Sequence, residues 1–256
     1  MITTVATLRT AMLDALANPG SFLLQVGFMV ANDATWLIFW TLFFNRVGQL
    51  RGWTRDDLFV LFAVTTTVVG IALGLLSNCR WIGQLAADGA LDETLMLPVA
   101  PLPHLLASRI DVAALGDLVF GVTLFLFAGH PSPPRAAAFL FAVVCGATVL
   151  TSFMVLSGTL TFFFGGRGDQ SDLGLNAIVT LASYPLDIFG GVTKVILFTI
   201  LPAAFVTGLP ASLLRHFDPD TGLLLVVVSA GLAVFTWGLF TLGLRRYSSG
   251  SMWSRG

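Results

Sequence analysis

The chain has 256 residues, of which 56% are hydrophobic and only 11% charged, with a formal net charge of −1 and a mean hydropathy of +0.88. A soluble domain carries roughly 25% charged residues, so these charges are too few to cover a water-facing surface. A soluble enzyme, a disordered chain and a nucleic-acid binder are all disfavoured. The composition is that of an all-α integral membrane protein, because helices satisfy their own backbone groups in lipid. It predicts a single transmembrane domain over residues 1–256.

Residues 1–20 read as a short amphipathic helix with Val5, Leu8, Met12, Leu13 and Leu16 near one face, broken by Asn18-Pro19-Gly20. A bilayer core takes about 20 helical residues to cross. Six segments meet or approach that length: Phe22 to Phe44, Leu58 to Ser77, His104 to Ala128, Arg135 to Phe164, Leu173 to about Phe205, and Gly222 to Leu244. The first is too long for a cleaved leader and lacks a small-residue cleavage site, so it reads as the membrane address itself. Asp33 interrupts it about halfway along, beside Asn32. Gly70 and Gly74 form a GxxxG in the second span, a spacing that lets two helices approach closely.

Between the second and third spans, residues 78–103 read as an amphipathic helix lying along the membrane surface, stopped by Pro98, Pro101 and Pro103. Trp81, Gln84, Leu85 and Asp88 suit one stripe of it, and Leu91 and Leu95 another after Gly89. Such a face can meet a soluble partner or the lipid headgroups. Asp111 and Asp117 fall in the third span, six residues apart and so on different sides of a helix. The residues Ala177 to Leu214 are apolar but interrupted by Pro185, Gly190-Gly191, Pro202 and Pro210. A fifth span followed by a re-entrant or extracytoplasmic segment over 187–214 fits that length better than two further spans. On a continuous helix the spacing of Asp187 and Lys194 would put both on one face. The membrane aspartates allow two readings, a polar pathway or proton relay and plain interhelical hydrogen bonding.

Six spans put both ends on one side, with Arg9, Arg80, Arg109, Arg167, Arg245, Arg246 and Arg255; Arg46, Arg51, Arg55, Arg135 and Arg215 lie opposite. The bias, and a tail from Arg245 that holds no acid, predict cytoplasmic termini. The sequence has no GxxxxGK[ST] loop, no HExxH and no GxSxG. His104, His130 and His216 are scattered, no metal site is expected, and Cys79 and Cys145 read as small core residues.

Three motifs carry a family resemblance. Gly89-x-Leu91-Asp92-x-x-Leu95-x-x-Pro98 follows the second span. Tyr184-Pro185-Leu186-Asp187-Ile188-Phe189 precedes Ile200-Leu201-Pro202-Ala203-Ala204-Phe205-Val206 and Pro210-Ala211. Gly243-Leu244-Arg245-Arg246-Tyr247-Ser248 closes the last span. In order and spacing, over nearly the whole chain, they resemble permeases of bacterial ABC transporters of the type 2 export superfamily. The resemblance implies six spans, an N-terminal surface helix, a cytoplasmic coupling helix and short re-entrant helices before the last span. It implies two permeases, often a chain and a related one as a heterodimer, with two copies of an ABC ATPase subunit that binds ATP and Mg. This chain would carry no cofactor of its own and no enzymatic activity, and would work as an exporter in the bacterial cytoplasmic (inner) membrane.

Carried over, the coupling contact falls on Arg80, Trp81, Gln84, Asp88, Gly89, Leu91, Asp92, Glu93 and Leu95, with the acids offered to basic residues. The re-entrant group is Tyr184, Pro185, Asp187, Lys194, Pro202 and Pro210. The substrate, amphipathic or hydrophobic, would pass spans one, two and five, and Asp33, Phe39, Trp40, Thr66 and Asp117 are the candidate pathway residues. The chain departs from the family pattern at Gly190-Gly191, where a proline or bulkier residue is expected. The rival reading is a proton- or ion-coupled secondary carrier using the membrane aspartates, in which Asp117→Asn abolishes transport. A third is a membrane scaffold without transport.

Overall fold

The computed structural model describes residues 2–165 and 169–247; Arg167, Ser248 and Arg255 lie outside them. The α-helices, in chain order, are α1 (Ile2–Leu16), α2 (Pro19–Val47), α3 (Arg55–Val69), α4 (Ile82–Ala87), α5 (Leu91–Leu95), α6 (Pro101–Ala107), α7 (Val112–Ala128), α8 (Pro133–Thr159), α9 (Thr161–Phe164), α10 (Asp169–Ala182), α11 (Gly191–Thr199), α12 (Leu209–Arg215) and α13 (Pro219–Leu244). A π-helical stretch, Gly70–Leu75, prolongs α3, and another, Ala204–Gly208, leads into α12. No strand occurs among the described residues.

The long helices begin where their sequence says they should. Asn18, Ser132 and Asp218 each cap a helix through the side chain, with proline in its first turn, at α2, α8 and α13. Thr54 and Asp57 close a capping box on α3. Helices long and apolar enough to cross a membrane are Pro19–Val47, Arg55–Leu75, Pro133–Phe164 and Pro219–Leu244. They match the expected first, second, fourth and sixth spans.

The third and fifth spans differ from expectation. The apolar run from His104 to Ala128 turns by 82° between α6 and α7, and the break is held by polar contacts. Asp111 caps α7 by accepting from the amides of Ala113 and Ala114. Its own amide donates to the Gly74 carbonyl at 3.0 Å. Ser77 Oγ donates to the Arg109 carbonyl, and Asn78 Nδ2 to the Leu105 carbonyl. Asp111 therefore lies at a helix end, at the bend of the expected third span. The fifth run, expected from Leu173 to about Phe205, is not continuous either. Its first helix, α10, has 14 residues, about 21 Å at 1.5 Å per residue, and stops ahead of Pro185. After a 3-10 turn at Leu186–Ile188, α11 and the segment Ala204–Arg215 meet at 77°. This bent pair overlaps the expected re-entrant segment over 187–214 almost throughout, ending one residue beyond it. Asp187 and Lys194 thus share no helix.

Glycine shapes this turn. Gly190 is extended and Gly191 has φ +54, a left-handed conformation that costs a residue with a Cβ about 1–2 kcal/mol. The Gly-Gly that departs from the family pattern is what lets α11 start here.

The interior is built on α3 and α8. α7 packs along α3 and is flanked on its other side by α2, while α8 receives α13, α12 and α3. The GxxxG forms a contact face: a Cβ at Gly70 would meet the Leu118 backbone, and one at Gly74 the backbone around Ala114 and Leu115. Both α2 and α13 leave wide apolar faces exposed, among them Leu24, Phe28, Ile38, Val227 and Phe235. The α1 helix rests on α6, where Thr7 Oγ1 and His104 Nδ1 are 3.0 Å apart. Leu8 and Met12 are half-buried, whereas Val5, Leu13 and Leu16 point outward. The predicted apolar stripe is therefore divided between α6 and the exterior.

Candidate functional site

A cavity of about 230 Å³ lies between α2, α3, α7 and the end of α10. Along α2, the residues Asp33, Trp36 and Trp40 fall at i, i+3 and i+7, one helical face, and all line it. From α3 come Phe62, Thr65 and Thr66; from α7, Asp117; from α10 and its end, Thr180, Ser183 and Tyr184. Trp40 and Tyr184 meet edge to face at 5.8 Å, joining α2 to the α10 end. Trp36 is half-exposed and Thr180 exposed, so the cavity reaches the surface between these two helices.

The polar groups of the cavity are unusual in kind. Asp33 is 7% exposed and Asp117 only 3%. Their carboxyls meet across the α2–α7 contact, near enough for one to bond the other when either carries a proton. Each still has a buried Oδ2 without a partner, and so does the Trp40 indole nitrogen. Thr65 and Thr66 donate to the carbonyls of Leu61 and Phe62 in their own helix, which leaves their lone pairs free to accept. Among the described residues, no basic side chain lines the cavity.

Of the residues expected on a pathway, Asp33, Trp40, Thr66 and Asp117 are brought together here, with Tyr184 from the expected re-entrant group. Phe39 is not among the lining residues; it is half-exposed and packs edge to face on Trp36 and Trp40. Sequence reasoning passed over Trp36 and Phe62. The spacing of Trp36 from Asp33 and Trp40 carried the necessary signal.

The loop after the second span holds α4 and α5, separated by a turn at Gly89 with φ +76. Ile82, Gly83 and Ala86 are buried, with Ile82 and Gly83 against Gly158 of α8. Gln84 and Asp88 are exposed, Leu85 is half-buried, and Trp81 lies under the guanidinium groups of Arg80 and Arg109. Arg80 also pairs with Asp172 of α10 at 2.7 Å. The second predicted stripe divides: Leu91 is buried while Leu95 is exposed, followed by Met96 at 81% exposure. Among the three acids, Asp88 and Glu93 face outward. Asp92 turns to Tyr247, whose hydroxyl is pushed up to about 12 by burial and then by that carboxyl. The outward surface therefore includes Gln84, Asp88, Glu93, Leu95 and Met96.

The Asp187 end is tied elsewhere. Its Oδ2 accepts from Trp53 Nε1 at 2.7 Å, and its carbonyl from Arg51. Arg215 lies 4.0 Å over the Trp53 ring and pairs with Asp57 at 3.1 Å. Pro202 and Pro210 are buried and flank the 204–208 stretch, and Lys194 is exposed on α11.

The family model of the ABC-2 family transporter proteins matches residues 30–251, most of the chain and every element from α3 to α13. No curated protein and no solved structure gives a significant match.

Proposed function

The chain belongs to the ABC-2 transporter family, and on that premise we propose that it is the membrane-spanning permease subunit of an ATP-driven exporter. Membership over residues 30–251 is the observation that carries the reading. The chain is a transporter subunit, and its work comes from a separate ATPase that binds ATP and Mg, two copies to a complex. Two permeases, this chain with itself or with a related chain, enclose the pathway in a bacterial inner membrane, with both termini cytoplasmic.

The loop of α4 and α5 is the coupling element. Its seating supports this: α4 abuts α8, Arg80 holds α10, and Ser77 and Asn78 hold the α6–α7 elbow. A push on the loop therefore reaches three elements at once. Closure and reopening of the ATPase pair rocks one permease against the other. Cargo moves because it binds the two states with different affinity. The bent pair of α11 and 204–215 caps the outer side as a re-entrant hairpin. Asp88→Arg combined with Glu93→Arg should leave the chain inserted and weaken ATPase association at least about tenfold; unchanged association would remove the loop from the coupling role.

The secondary carrier has the Asp33–Asp117 pair in its favour. It predicts transport that persists without ATP under an ion gradient, whereas the permease stops when ATP is withheld.

A further inference from the structure

We propose that the cavity between α2, α3, α7 and α10 binds an amphipathic organic cation, with its ammonium group between the carboxylates of Asp33 and Asp117. That the bound molecule is also cargo rests on the permease reading above; that the cavity binds it does not.

Three residues that line the cavity each hold a buried polar atom without a partner: Asp33 Oδ2, Asp117 Oδ2 and Trp40 Nε1. Buried polar groups are ordinarily satisfied, and exceptions of this kind mark a missing partner. Two of the three are carboxyl oxygens, and the lining offers no base to answer them. Apart from a proton shared between the two, the group that answers both carboxyls is positive and carries N–H donors. The walls describe the rest of the molecule. Trp36, Trp40, Phe62 and Tyr184 present ring surface, which favours an organic ammonium by cation–π attraction. A hard metal ion wants six or more oxygens, and no cluster of three or more metal-binding side chains occurs among the described residues. The Trp40 indole N–H suits a hydroxyl or carbonyl acceptor on the same molecule. At about 230 Å³ the cavity is below the roughly 300–1,000 Å³ of ordinary ligand sites. It holds a charged head and a ring, with any longer tail leaving past Trp36 into lipid.

The test uses the full chain in lipid nanodiscs and two probes of nearly equal shape, 1-naphthylmethylamine and its neutral counterpart 1-naphthylmethanol, with binding corrected for protein-free discs. The expected result is saturable binding of the amine, at least about tenfold tighter than the alcohol. Asp33→Asn and Asp117→Asn should each remove that preference while leaving alcohol binding unchanged. Equal binding of the two probes, no saturable amine binding, or a preference that survives both substitutions would overturn the proposal. The comparison on the unsubstituted chain stands even where a variant fails to fold. ATPase content of the preparation is scored separately. Its absence counts against the permease reading alone, whereas amine indifference beside a bound ATPase counts against the cation site alone.

Discussion

Asp33, Asp111 and Asp117 look alike in the sequence, each an acid in an apolar run, yet they do different things. Asp111 spends its carboxyl on the first amides of α7, a helix-capping task. Asp33 and Asp117 come from different helices and face one another in a cavity. The sequence shows the unusual acids but not their partners, because the pairing depends on how α2 crosses α7. Gly116, where a Cβ would meet Met29 and the Val26 carbonyl, allows that crossing. Asp92 shows the same limit: its motif position is plain, but only the packing of Tyr247, just after α13, puts that ring beside it. At Gly191 the backbone argument is direct. Gly191→Val should lower stability by about 1–2 kcal/mol, read as a lower unfolding temperature in detergent. Gly190→Ala, where the backbone is extended and a Cβ meets nothing, should change it little.

Among the elements, α2, α3, α8 and α13 were legible because an unbroken apolar run of the right length has one common outcome in lipid. The runs that became α6–α7 and α10–α12 met the same hydropathy criterion and folded otherwise. Besides Pro185 and Gly190-Gly191, their breaks are held by long-range polar contacts, the 77–78 side chains on the 105–109 backbone and Trp53 on Asp187. Counting apolar residues does not register such contacts. The Gly70–Gly74 spacing was a better guide. Gly70→Ala should force α3 and α7 apart, since the added methyl would strike backbone as well as the Leu118 side chain. A loss of about 1–3 kcal/mol is expected, with the cavity at Thr65 and Thr66 disturbed because those residues ride on the same helix. Normal stability and unchanged amine binding in this variant would contradict the packing described.

As a whole, the molecule has a core along α3 and α8, with α2 and α13 outside it showing broad apolar faces. That arrangement suits a chain whose outer helices meet lipid or another permease. Its polar features sit apart: the acidic and apolar loop surface around α4 and α5, the carboxyl pair between α2 and α7, and the Trp53–Asp187–Arg215 knot. Under the proposed reading as an ATP-driven permease, these are the input, the cargo site and the outer closure. The most direct measurement is purification of the tagged chain from its own host in mild detergent, with mass spectrometry of everything that stays bound. The account predicts a stoichiometric ABC ATPase subunit and ATP hydrolysis by the preparation. A stable, high-yield chain with no ATPase attached would contradict it.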